Sequence, residues 1–225
     1  MSRVGPAEMV DFAQRRAAMV QNQLRPNRVD DPRVLAAMGA IPRERFCPPH
    51  LRGVAYGDDD IDLGDGHYLI EPLVQARLVQ AAAAQPSDVA LVVGCHTGCT
   101  AAVLGRLVST VLLLVPNEAA VEAIEPVLAE IGCENVLVQV GRAADGLPAQ
   151  APFDIILLAG SVREIPETLL DQLGDGGRLV AVVGTDRGGK LTVCRRIGGV
   201  IGRTTPFDAA IPPIGELLPK PQFVF

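Results

Sequence analysis

Val89-Ala90-Leu91-Val92-Val93-Gly94-Cys95-His96-Thr97-Gly98 is an unbroken apolar run that stops at a glycine and turns to a second one. A run of strand length with no polar interruption fits a strand buried on both faces, as in the interior of a parallel sheet. The chain beyond it alternates. Residues 100–107 read as a helix, 110–115 as a strand, 118–131 as a helix and 136–140 as a strand. A further strand over 154–159, a helix over 166–173 and a strand over 178–183 follow. Strands joined by crossover-length helices pair in parallel, with helices on both sheet faces. From Lys190 the pattern changes to one or two more strands, expected to be antiparallel.

Upstream of the run, residues 7–24 repeat apolar positions at helical spacing and stop near Pro26. Asp31-Pro32 reads as an N-cap followed by proline at the first helical position. Residues 43–71 are polar and aperiodic, and an irregular stretch that long is usually functional. Pro72 opens another helix, expected to continue through the alanines at 81–84. The expected organisation is a single domain over 1–225: N-terminal helices and a loop in 7–85, an α/β core in 86–184, and C-terminal strands in 185–225.

The chain has 225 residues, 48% hydrophobic and 20% charged, which suits one well-buried globular domain. A net charge of −6 argues against a nucleic-acid binder that works by neutralising phosphates. With no Trp and two Tyr, a base-stacking platform is not expected either. No segment resembles a signal peptide or a membrane span, and the five cysteines read as reduced thiols. The expectation is a cytoplasmic protein.

Several ordered motifs carry a resemblance. Met19-Val-Gln-Asn-Gln-Leu24, Val34-Leu-Ala-Ala-Met38, Ile41-Pro-Arg-Glu-Arg-Phe46 and Ala55-Tyr56 precede a glycine-containing loop that ends at Pro72. The turn at Gly94 to Gly98 leads into Ala101-Ala-Val-Leu104, and Ala151-Pro-Phe-Asp154 and Gln172-Leu-Gly-Asp-Gly-Gly-Arg-Leu-Val180 come later. Over residues 9–184 the chain resembles the protein-L-isoaspartate O-methyltransferases. That resemblance implies a Rossmann-like S-adenosylmethionine-dependent methyltransferase fold with an N-terminal helical extension. It also implies methyl transfer from S-adenosylmethionine to the α-carboxyl of damaged aspartyl residues.

At the positions the resemblance assigns to the cofactor, this chain departs from the family pattern. The family loop reads Leu-Glu-Ile-Gly-x-Gly-x-Gly; here Val92 replaces the acid and His96 the middle glycine, while Gly94, Cys95 and Gly98 keep a turn. The ribose-binding acid becomes Val115, with Glu118 further on at a helix start, and the acid near the adenine amine becomes Arg142, a donor where an acceptor is needed. The acceptor loop, Gly-Gln-Thr-Ile-Ser-Gln-Pro in the family, is Gly66-His67-Tyr68-Leu69-Ile70-Glu71-Pro72. Ile70 cannot hydrogen-bond a substrate carboxylate, and Glu71 would repel one. His67 and Tyr68 suit a different acceptor, or simply pack on their own domain.

These departures predict a non-catalytic scaffold or binding module of the family, with an unknown protein partner. The alternative is an active methyltransferase with an altered protein substrate, binding S-adenosylmethionine through Gly94, Gly98 and backbone groups. A third reading places thiol or metal chemistry at Cys95 and Cys99, with a thiol pKa lowered at a helix N-terminus. No second closely spaced cysteine pair supports a metal, since Cys47, Cys133 and Cys194 stand alone, and Asp58-Asp59-Asp60 lacks the spacing of a calcium loop.

Overall fold

The computed structural model describes residues 11–185 and 187–218. Seven strands form one sheet in the order β5-β4-β3-β6-β7-β8-β9. They are β3 (Val89–Val93), β4 (Thr110–Val115), β5 (Val136–Val140), β6 (Phe153–Val162), β7 (Leu173–Thr185), β8 (Gly188–Ile197) and β9 (Val200–Ala209). Strands β3 to β7 pair in parallel, and β8 and β9 add as an antiparallel meander. This is the Rossmann-like fold expected from the alternation.

Alternation along β3 divides the core. Ala90 and Val92 join the cluster under the N-terminal helices α2 (Pro32–Ala40) and α3 (Pro72–Ala81), and under α4 (Cys99–Gly105) and α5 (Glu118–Glu130). Leu91 and Val93 join a smaller cluster with Leu169 and Leu170 of the short α6 (Glu167–Leu170). Helices therefore cover both faces, but unevenly. Among the described residues no helix is long and apolar enough to cross a membrane.

Several boundaries differ from the sequence reading. Ala7 and Met9 of the first expected helix lie outside the described residues. From Phe12 the helix α1 (Phe12–Met19) passes into a π turn (Val20–Leu24) and a 3-10 turn (Arg25–Asn27). Pro26 has no N–H to return to the preceding turn, which loosens the ladder there. Helix α3 ends at Ala81; Ala83 takes a left-handed backbone (φ 46°), and Arg178 of β7 donates to the freed carbonyls of Ala82 and Ala83. The helix expected over 166–173 shrinks to α6, since residues from Leu173 onward pair with β6 instead.

The 43–71 stretch is more ordered than its aperiodic sequence. It holds 3-10 turns at Arg43–Phe46 and Pro49–Val54, and a separate hairpin of β1 (Ile61–Gly64) and β2 (His67–Leu69). Asp65 (φ 53°) and Gly66 (φ 75°) form its turn, a backbone that an Asp-Gly pair adopts readily. Strands of four and three residues are too short to display an alternation.

Candidate functional site

The chain runs outward from β3 through β4 to β5, then returns to the other side of β3 as β6. Ligands of open α/β sheets bind beyond the carboxyl ends of the strands where that direction switches. Here Val93 turns at Gly94 (φ 78°) and Gly98 (φ 84°) into α4, and β6 extends past β3 to Gly160, Ser161 and Val162.

The open edge of β6 is taken by the C-terminal segment. Pro212 O accepts from Ser161 N–H at 2.9 Å, and Ile214 N–H donates to Ser161 O at 3.0 Å. Ile214, 2% exposed, lies between the two glycines that line the crevice. A Cβ on Gly94 would stand 2.6 Å from Ile214 Cδ1, and one on Gly160 2.7 Å from its Cγ1. Both glycines are therefore required by close packing of this side chain.

His96 lies beside that wedge. Its ring centroid is 4.0 Å from that of His67, and its Nε2 is 3.5 Å from Glu216 Oε2. Burial holds the His96 imidazole below its ordinary pKa; Glu216 opposes that shift and His67 adds to it. A cavity of about 350 Å³ opens next to the pair, lined also by Asp65, Pro116 and Asn117. The structure thus brings together Gly94, Cys95, His96, Gly98 and the acceptor-loop residue His67.

Other expected positions are not drawn in. Val92 and Val115 are closed into the core with at most 1% exposure. Arg142 has its side chain 81% exposed and pairs with Asp145 at 3.3 Å, so it does not fill an adenine space. Glu118 is exposed at the start of α5, whose cap is Asn117 accepting from Ala120 N–H at 3.0 Å. The thiol expectation is corrected at Cys99: full burial pushes it up to about 11, overriding any lowering by the helix terminus. Among the described residues no group of three or more His, Cys, Asp or Glu is placed to hold a metal ion.

The acceptor loop rests on a side chain the sequence reading did not single out. Arg43, 1% exposed, donates from Nε to Ala55 O at 2.9 Å, from Nη2 to Ile70 O at 2.7 Å, and from Nη1 to Gln75 Oε1. Gln75 in turn donates to Thr100 Oγ1 at 3.0 Å, and Thr100 N–H to Cys95 Sγ at 3.3 Å. The network ties the acceptor loop to the glycine turn. Ile70 is buried and Tyr68 half-buried.

Glu71 is half-buried, and its N–H donates to Asp60 Oδ1 at 2.8 Å. Burial, then the charges of Asp60, Asp58 and Asp59, push its carboxyl up to about 7. A carboxyl raised on folding stabilises the fold below its ordinary value of 4.5, and that stability is lost as pH rises through about 7. Glu71→Gln, the family's own residue, is expected to raise stability at pH 8 by about 1–2 kcal/mol after allowance for solvent screening. The gain should vanish at pH 4; urea midpoints at the two pH values check it, and equal gains at both would remove the electrostatic cause.

The sheet order and the N-terminal helical layer define the Rossmann-like class of S-adenosylmethionine-dependent methyltransferases. Solved structures agree on the fold. A protein-L-isoaspartate O-methyltransferase matches with a TM-score of 0.76 at 23% identity, over 90% of this chain and 67% of that one. A putative protein-L-isoaspartate O-methyltransferase from Plasmodium falciparum, in complex with S-adenosyl-L-homocysteine, matches with a TM-score of 0.72 at 19% identity, over 89% and 98%. The model of the protein-L-isoaspartate(D-aspartate) O-methyltransferase family matches residues 14–206. The Koribacter versatilis protein-L-isoaspartate O-methyltransferase is 37% identical over 208 residues, 92% of this chain and 93% of its own length. That of Methylorubrum extorquens is 39% identical over 188 residues, 84% and 82%. The chain belongs to the protein-L-isoaspartate O-methyltransferase family.

Proposed function

We propose that this chain is a non-catalytic member of its family, kept as a cytoplasmic protein-binding module rather than a methyl-transfer enzyme. The observation that carries the proposal is the Ile214 wedge between Gly94 and Gly160, in the crevice where the resemblance expects the cofactor. The residues present do not fit S-adenosylmethionine in the family manner. Val92, Val115 and Arg142 offer no side-chain acceptor at the three acid positions, and His96 replaces the glycine of closest approach. Hydrogen bonds to charged groups contribute roughly 1.5–3 kcal/mol each, so losing two or three weakens binding by about a hundredfold or much more.

One observation favours a second reading. The cavity beside His67 and His96 leaves about 350 Å³ next to the glycine turn, which keeps room for part of a nucleoside. Under that reading the chain is an active S-adenosylmethionine-dependent O-methyltransferase with a different protein acceptor near Tyr68 and Glu71.

Calorimetric titration with S-adenosylmethionine and S-adenosylhomocysteine to millimolar ligand separates the two. No heat of binding is expected from protein shown to be folded by circular dichroism. Saturable micromolar binding of either ligand would overturn the non-catalytic reading.

A further inference from the structure

The two edges of the main sheet are built differently. At one edge, β9 carries Pro206, which has no N–H, the charges of Arg203 and Asp208, and a register shift opposite Leu191 to Val193. These are devices that keep an open edge from pairing with another strand. At the other edge, β5 reads Val-Leu-Val-Gln-Val, with no charge, no proline and an unbroken register on β4. Asn135 O accepts from Val111 N–H and Gly141 N–H donates to Val115 O, both at 2.9 Å. Alternate residues of a parallel strand serve the same neighbour, so Val136, Val138 and Val140 turn their N–H and C=O groups away from β4. Among the described residues no strand takes them. Val138 O accepts instead from the side chain of its neighbour, Gln139 Nε2, at 3.0 Å. Along the same edge Leu137 is 47% exposed and Val140 44%.

We propose that β5 pairs antiparallel with β5 of a second copy of this chain, about a two-fold axis through Val138. Charge selects both that occupant and that direction. Exposed Glu134 stands at the entry of β5, and Arg142, its side chain 81% exposed, stands at the exit. The two are equally far along the chain from Val138, so antiparallel pairing sets Glu134 of each copy against Arg142 of the other. A parallel pairing in register would set like charges together. Arg142 has an exposed partner in Asp145 at 3.3 Å, and its five donors can serve a second carboxylate. In the same register Val138 meets Val138 and Val136 meets Val140. Leu137 lies beside Gln139 and diagonally across from the second Leu137. Both exposed apolar side chains of the edge are thereby covered. The pairing does not involve the crevice beyond β3 and holds whether or not a cofactor binds there. One short strand makes a small interface of the transient class, with a dissociation constant of about 10–100 µM.

Sedimentation velocity of the full chain, from about 5 µM to about 1 mM, tests the pairing by showing whether monomer gives way to dimer across that range. Leu137→Lys places two ammonium groups across the axis and is expected to raise the dissociation constant at least about thirtyfold. Glu134→Arg alone and Arg142→Glu alone should each raise it roughly fivefold. The double variant carrying both should return it to the native value, because the charges are exchanged in place. A native chain that stays monomeric at about 1 mM overturns the proposal. So does a dimer that Leu137→Lys leaves intact, or one that the double exchange restores no better than either single change. Should Leu137→Lys fail to fold, the exchange at two exposed side chains still decides.

Discussion

Asp88→Asn is expected to destabilise the chain by about 3–5 kcal/mol, the range for breaking a buried ion pair from one side. Asp88 and Arg178 are 2.5 Å apart with side chains 9% and 8% exposed. Asp88 also accepts from Gln85 N–H at 2.7 Å, and Arg178 donates to Ala82 O and to Ala83 O. The pair therefore joins the end of α3, the approach to β3, and β7. Asn keeps the shape but leaves the guanidinium charge buried without its partner. Equilibrium urea unfolding checks this: the midpoint should fall by about 1–2 M with an unchanged slope. A loss below about 1 kcal/mol would contradict an unscreened pair. The double replacement Asp88→Leu with Arg178→Met is expected to recover only part of the loss, because it removes both charges together but leaves the carbonyls of Ala82 and Ala83 without a donor.

Arg43→Met should cost a similar amount, about 3–5 kcal/mol, for a different reason. Among the described residues no carboxylate lies within ion-pair distance of Arg43; its partners are the neutral oxygens of Ala55, Ile70 and Gln75. Removing the fork leaves three buried acceptors unpaired at about 1–3 kcal/mol each, partly relieved by relaxation. Arg43→Lys should recover less than half, because one ammonium on a flexible stem cannot serve three divergent acceptors. Amide hydrogen exchange gives a second readout: protection should fall first at residues 66–71, which the Ile70 contact holds. Uniform loss of protection across the sheet would instead place Arg43 in the global core.

Much of this architecture can be read from apolar patterning. The β3 and β4 runs are apolar for their full buried length, and burial on both faces leaves few alternatives to a parallel sheet. The hairpin β1–β2 was not legible because strands of four and three residues carry too little pattern. The early end of α3 was not legible either, since alanines 81–84 are good helix formers. The chain turns out of the helix at Ala83, and the freed carbonyls are satisfied by an arginine nearly a hundred positions away.

The candidate site divides the same way. The replacements at Val92, His96, Val115 and Arg142 are local facts of the chain, and they alone raise the question of a lost cofactor site. Where those residues point is not local. Arg142 faces solvent with Asp145, and His96 faces His67 and Glu216 from two distant segments. Nothing in the periodicity of 211–217 marks Ile214 as a wedge. Its place follows from β6 outrunning β3 and leaving Ser161 with an unpaired edge, a consequence of how two strands of unequal length lie side by side. The sequence by itself determined the core strands of the sheet, the family and the chemistry missing from its expected positions, because these depend on composition and short-range pattern. Tertiary structure alone decided what occupies the crevice, because that depends on which backbone edges are left open once the sheet has formed.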